Sequence, residues 1–135
     1  MRTIRDAGLA LGLRATRFTL RRFGFHRTVR ILAGIPTPMR RYPLDPEGPI
    51  GWAERIRSVS GRPYGGTCLD RSVLLWYLMQ QRGLDGRIRI GVARDDDDLV
   101  GHAWVELDGR VVNDNPDVAG MYSVFDEDPT GIVFS

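Results

Sequence analysis

Seven consecutive uncharged residues, Val73-Leu74-Leu75-Trp76-Tyr77-Leu78-Met79, constrain this chain more than any other stretch. At helical spacing they place apolar side chains on nearly every side, so the helix they form must be covered all round and lie centrally. The run is far shorter than the ~20 residues of a membrane span. Its ends are marked too. Thr67 and Asp70 make a Thr-x-x-Asp capping box at the start, and Gly83 has the character of a C-terminal cap, stopping the helix near Arg82. A short polar loop, Arg62-Pro63-Tyr64-Gly65-Gly66, leads in. Cys68, the one cysteine of 135 residues, thereby falls at the first helical position.

Something must cover that helix, and the chain supplies two kinds of element. Ahead of it, residues 3–23 carry apolar residues at helical spacing: Ile4, Leu11 and Phe18 recur at seven, and Leu9, Leu13, Leu20 and Phe23 widen the stripe. Gly8 and Gly12 weaken this pattern and Gly24 ends it. The stripe predicts an amphipathic helix docked on an acidic body. Val29 to Leu32 make a second short helix, stopped by Gly34-Ile35-Pro36. Four prolines and a glycine between Thr37 and Pro49 forbid regular helix and mark a linker. Trp52 to Val59 then form a third helix, with Trp52, Ile56 and Val59 on one face.

Beyond Gly83 the apolar period changes from helical to alternating. Ile88, Ile90 and Val92 predict a half-buried strand, Asp95 to Asp98 a solvated turn, and Asp108-Gly109, between Val100–Leu107 and Arg110–Asp114, a hairpin. Past Asn115-Pro116 the chain reads as irregular, with a last short strand at Gly131 to Phe134. Helices first and an antiparallel meander second define an α+β class. With 42% hydrophobic residues the length suits one core. The expected division is an Arg-rich helical segment, residues 1–41, packed on or flanking a core of residues 42–135.

Charge is divided along the same line. Residues 1–41 hold ten arginines and one acid, Asp6, for a net +9; residues 42–135 hold nine arginines and sixteen acids, for a net −7. A segment this basic can meet an acidic peptide, a nucleic acid or a membrane surface, or can neutralise the acidic half of its own chain; the last is the preferred reading. All nineteen basic residues are arginine, which points to codon usage and removes weight from any argument based on arginine over lysine. A single cysteine makes no internal disulfide, and no secretory pattern is present, so the expectation is a soluble cytoplasmic protein. One cysteine and two distant histidines, His26 and His102, do not make a zinc site, and no phosphate loop of known spacing occurs; no cofactor is expected.

The chemistry-bearing residues are few. A thiol at a helix N-terminus meets unsatisfied amides and the positive end of the dipole, which favour thiolate. Cys68 is therefore a candidate nucleophile, and His102 is the only plausible base; His26 sits among arginines and reads as a surface residue. The plain alternative is a packed small hydrophobe and a satisfied core histidine. The hairpin weighs against it. If its turn is the three-residue loop Leu107-Asp108-Gly109, Glu106 pairs with Arg110 and His102 faces Asp114, about 5 Å away at the β-carbons. A two-residue turn would instead set His102 opposite Asn115 and send Asp114 to the other face. Asp114 is thus preferred over Asp117 as orienting group, with Asn113 and Asn115 as possible substitutes. Arg71, one turn into the helix, could steady thiolate or substrate, or form a salt bridge with Asp70. Leu69, Trp76 and Trp104 read as core.

A cysteine capping a buried helix, followed by histidine and aspartate on consecutive antiparallel strands, resembles the transglutaminase-like group of papain-type cysteine enzymes. More narrowly, Cys68-Leu69-Asp70-Arg71-Ser72, Arg89-Ile90-Gly91-Val92 and Gly101-His102-Ala103-Trp104-Val105-Glu106 with Asp108-Gly109 resemble the leader peptidases of lasso-peptide biosynthesis. The resemblance spans Cys68 to Asp114. It implies Cys68 as nucleophile, His102 as general base and acid, Asp114 as orienting carboxylate, and a precursor peptide whose leader is the substrate. It also implies two partners: a separate leader-recognition protein, since nothing ahead of residue 42 matches a fused recognition domain, and an ATP-using cyclase acting on the freed amine. Two other readings follow from the same residues. One is acyl transfer through the same triad; the other is a non-catalytic module that binds an acidic partner through the basic helices.

Overall fold

The computed structural model describes residues 2–35, 48–60, 67–125 and 133–134. Four helices come first: α1 (Arg2–Phe23), α2 (Phe25–Ala33), α3 (Gly48–Val59) and α4 (Cys68–Gln81). The strands follow as β1 (Gly86–Asp95), β2 (Asp98–Leu107), β3 (Arg110–Val111), β4 (Ser123–Phe125) and β5 (Val133–Phe134), with a short 3-10 turn at Val118–Gly120. This is an α+β fold. The loop ahead of Thr67, most of the proline-rich linker, and Gly131 lie outside the described residues.

Helix α4 is central, as an uncharged run requires. Val73, Leu75 and Met79 are essentially inaccessible, and Trp76, Leu74 and Leu78 are buried with them. Leu9 and Leu13 of α1 and Trp52, Ile56 and Val59 of α3 join the same core as α4 and Val105 of β2, so helices cover one side of α4 and the sheet the other. Emptying one such position, for example Met79→Ala, costs about 2–5 kcal/mol through lost transfer energy and the cavity left behind. Both helix ends follow local chemistry. Thr67 and Asp70 complete a reciprocal capping box, with Thr67 N–H donating to Asp70 Oδ2 at 2.9 Å and Asp70 N–H to Thr67 Oγ1 at 3.2 Å. After the C-cap, Arg82, Gly83 takes a φ of 75°, a left-handed conformation suited to glycine.

The amphipathic reading of α1 needs correction. The helix runs unbroken through Gly8 and Gly12, and it docks through Leu9 and Leu13, whereas Leu11 and Phe18 are 66% and 67% exposed. The seven-residue recurrence identified a true stripe, but a Leu9-Leu13 stripe on the opposite face won the core. Gly12 lies where α1 comes close to α4: an added β-carbon there would come within 3.2 Å of Leu74. Helix α3 also begins earlier than its apolar pattern, at Gly48, because Pro49 is tolerated in a first turn whose amides have no intrahelical acceptor.

The sheet order is β3-β2-β1-β4, antiparallel throughout, and β5 adds a parallel pairing to β2. Two features were missed in the tail: β4, which pairs with the far edge of β1 through Ile90↔Phe125 to Val92↔Ser123, and the parallel sense of β5. Segments of two or three residues carry too little alternation to be read. The β1–β2 ladder is long and regular, and its register sets Gly91 opposite His102.

The β2–β3 hairpin lacks the three-residue turn on which the choice of Asp114 was conditioned. Leu107 pairs with Arg110 and Glu106 with Val111, so the turn has two residues, with Asp108 and Gly109 both at positive φ, 52° and 77°. This is the Asp-Gly turn whose twist matches that of the flanking strands. Its ladder then stops after two residues. That stop decides the geometry of the site.

Candidate active site

The thiol and the imidazole reach one cavity from different elements. Capping places Cys68 at the start of α4, where its side chain packs with Ile90 and Ala103. His102 is in the middle of β2. A cavity of about 370 Å³ is lined by both, together with Arg71, Asn113 and Asp114 and, on its far wall, Ala53, Glu54 and Arg57 of α3. All three residues of the expected triad therefore border one space.

His102 and Asp114 are hydrogen-bonded, with Nε2–H donating to Asp114 Oδ2. A carboxylate can only accept, so this bond assigns a proton to Nε2; in the neutral ring Nδ1 then carries the lone pair. The second carboxylate oxygen, Oδ1, accepts the Asn115 N–H at 2.7 Å, and Asn115 Oδ1 in turn accepts the Asp117 N–H at 2.9 Å. Asp117 thus contributes to the turn that holds Asp114 rather than to the histidine. Both partners are half-buried. The ring is also held on its face. Tyr122 stacks on His102 with centroids 5.0 Å apart and planes 23° from parallel, and Trp104 lies 6.0 Å away.

Tyr122 drew no attention in the sequence, although one signal was present. Gly91, opposite His102, has no β-carbon; one built there would come within 2.6 Å of Tyr122 Cβ and 3.2 Å of the Trp104 ring. A glycine in an otherwise β-branched strand marks such a close approach. Trp104 is wholly buried, as a core reading expects, but it also donates its indole N–H to Glu106 at 2.9 Å.

Electrostatics at the thiol depart from expectation. Burial pushes the Cys68 thiol above its ordinary value of 9.0. Hydrogen bonding from the Ala103 amide, the Arg71 guanidinium and the Leu69 amide pull the other way in decreasing order, and Asp114 adds to the rise. The helix start is a favourable place for an anion, but Cys68 is only 4% exposed, and desolvation outweighs the donors. Burial thus works against a standing thiolate, and an imidazole bordering the same cavity is a group that can take the thiol proton as attack begins.

How Asp114 meets His102 follows from the broken ladder. If β3 continued in its own register, Asp114 would fall opposite Ala103 and point to the face away from His102. Instead Val112 N–H donates to Val105 carbonyl at 2.9 Å, and the return bond is taken by a side chain: Val105 N–H donates to Asn113 Oδ1 at 2.8 Å. Asn113 Nδ2 donates to the buried Ser72 Oγ of α4 at 3.1 Å. From there the strand leaves the sheet and Asp114 swings across to the imidazole. Asn113 does not orient the histidine itself, and neither does the Asn115 side chain. Among the described residues, no group of three His, Cys, Asp or Glu side chains is gathered as a metal set would be. Also among them, no helix is long and apolar enough to cross a membrane.

With this cysteine at the start of a central helix and this histidine on an antiparallel sheet bordering one cavity, residues 10–125 match the family model described as the transglutaminase-like superfamily. The chain belongs to that superfamily. Over 60 residues it is 35% identical to the microcin J25-processing protein McjB of Escherichia coli, a stretch that covers 44% of this chain and 28% of McjB. No solved structure matches.

Proposed function

We propose that this protein is a cysteine peptidase that removes the leader from a ribosomal precursor peptide during lasso-peptide maturation. The observation that carries the reading is the bordering of one cavity by Cys68, His102 and Asp114, with Nε2 of the histidine committed to the carboxylate. Membership of the superfamily and the partial likeness to a microcin-processing protein support it.

Each step then has a named group. His102 Nδ1 takes the thiol proton as Cys68 Sγ attacks the carbonyl at the leader-core junction, and Asp114 stabilises the imidazolium that forms. The Cys68 backbone N–H, in a first turn whose amides have no intrahelical acceptor, is a donor for the developing oxyanion. His102 returns its proton to the departing core amine, the C–N bond breaks, and a leader thioester remains on Cys68. Water, deprotonated by the same imidazole, hydrolyses that thioester and regenerates the thiol. The experiment is mass spectrometry of a precursor peptide co-expressed with this protein and its recognition partner. Wild type yields separated leader and core; Cys68→Ala yields intact precursor, and full cleavage by that variant would overturn the assignment.

Leader capture is assigned to a separate recognition protein, and a cyclase that uses ATP consumes the freed amine. For the first of these the outward face of α1 is the proposed dock, since exposed Leu11 and Phe18 lie there with exposed Arg14 and Arg22. An apolar stripe flanked by cations suits an acidic partner surface. Replacing Leu11 and Phe18 together by Asp is expected to weaken co-purification of the recognition protein at least tenfold without changing the melting temperature. Undiminished capture would reject the dock.

A further inference from the structure

Asn113 stands where the β2–β3 ladder gives up its backbone hydrogen bonding. Residues 101, 103, 105 and 107 of β2 turn their backbone groups away from β1. Leu107 is served by β3 and Gly101 lies beside β5. Between those two short strands the edge is left to side chains. Val105 N–H goes to Asn113 Oδ1, and the Ala103 amide, beside which Cys68 packs, favours the ionised thiol. Were β3 to run on in register, the backbone of residue 112 would take the Val105 amide, and residue 114 would lie opposite Ala103 and compete with the thiol for its amide. One side chain therefore separates a continuous hairpin from an open edge.

The same amide reaches the nucleophile helix. Asn113 Nδ2 donates to Ser72 Oγ, one turn beyond Cys68 on α4 and fully buried. Its orientation is determined, because Val105 N–H can only donate and so must face the oxygen. We propose that Asn113 is the positioning residue of this site: it ends the β2–β3 ladder and clamps β2 to α4. It thereby swings Asp114 onto His102 and leaves the Ala103 amide to Cys68. The proposal rests on the peptidase reading only for its purpose; the geometry it asserts is measurable on the protein without any peptide.

The clamp predicts how its loss is felt. Asn113→Ala returns the Val105 amide to a backbone acceptor and lets the strand re-register. Asp114 then leaves the imidazole, and the thiol loses the Ala103 donor. Two measurements read this. The rate of Cys68 alkylation by iodoacetamide, followed against pH, is expected to shift to higher pH by about one unit, a roughly tenfold lower rate at pH 7. The ring nitrogen shifts of neutral His102 in NMR, dominated by the Nε2–H tautomer in wild type, are expected to move toward the mixture of an unheld imidazole. A merely structural role would lower the melting temperature and leave both unchanged in the folded protein. A folded Asn113→Ala variant with wild-type alkylation profile and tautomer overturns the proposal. If that variant does not fold, Ser72→Ala decides, since it removes the helix anchor alone. A threefold or larger fall in alkylation at pH 7 is expected from it, and a wild-type profile overturns the clamp. Failure of the wild-type protein to cleave the leader, with these shifts seen in the variants, would count against the peptidase reading and not against the clamp.

Discussion

The site has two halves built by opposite means. The start of α4 is local: four consecutive residues, Thr67 to Asp70, cap one another and deliver Cys68, and nothing distant is needed to place it. The segment 112–115 is non-local: it lies where it does because Asn113 bonds a strand eight residues back and a helix forty-one residues back. A local element is stable against most distant changes. A segment held by competition between two hydrogen-bonding schemes can be redirected by one side chain, and it carries the residue on which histidine orientation depends.

That contrast can be broken from either side. The largest effect is expected at the non-local half. Asp114→Ala leaves α4 untouched, yet it should lower the rate of leader removal by about ten-thousandfold, the scale on which an unheld catalytic imidazole loses function. A loss under tenfold in steady-state kinetics would mean that the ring is held by Tyr122 and Trp104 instead. The local half should answer chiefly in stability. Thr67→Ala removes one cap bond and is expected to cost about 1 kcal/mol in urea or thermal unfolding, with cleavage reduced only modestly. A thousandfold activity loss there would show that the helix start is not self-sufficient.

The smallest effect concerns pH. The folded-state thiol of Cys68 is raised, so its contribution to stability is fully present below the ordinary 9.0 and is lost as pH rises through the folded value. In that alkaline window the unfolded chain ionises first. Wild type should therefore lose stability with a slope bounded by ~1.4 kcal/mol per pH unit, and Cys68→Ala should lack that component in parallel unfolding curves. Identical slopes would place the thiol in a more polar setting than the buried one found here.

Much of the fold was legible because it is written in short-range patterns. The Val73–Met79 run demanded a central helix, Thr67 and Asp70 marked its start, Gly83 its end, and the alternation around Ile90 its sheet. At α1 and at the hairpin, what misled was a choice between two faces or two registers. Residues 3–23 contain two apolar stripes, and only packing against Leu74 and Leu75 shows that Leu9 and Leu13 are inside. The Asp108-Gly109 signal marked a hairpin correctly, but both turn lengths were open. The sequence links Asp114 to His102 only through the three-residue turn. The two residues do meet, by a route that the turn alone would have excluded.

The amino-acid sequence by itself determined the α+β order, the buried helix, and the candidates Cys68, His102 and Asp114, because caps, periodicity and turn residues act over a few positions. Only the tertiary structure decided that Gly91 makes room for Tyr122 against the imidazole, that burial outweighs the helix start at the thiol, and that Asn113 ends the ladder. Each of these is settled by which distant group arrives first at a shared amide, ring face or solvent-free space. Spacing along a chain does not encode that competition.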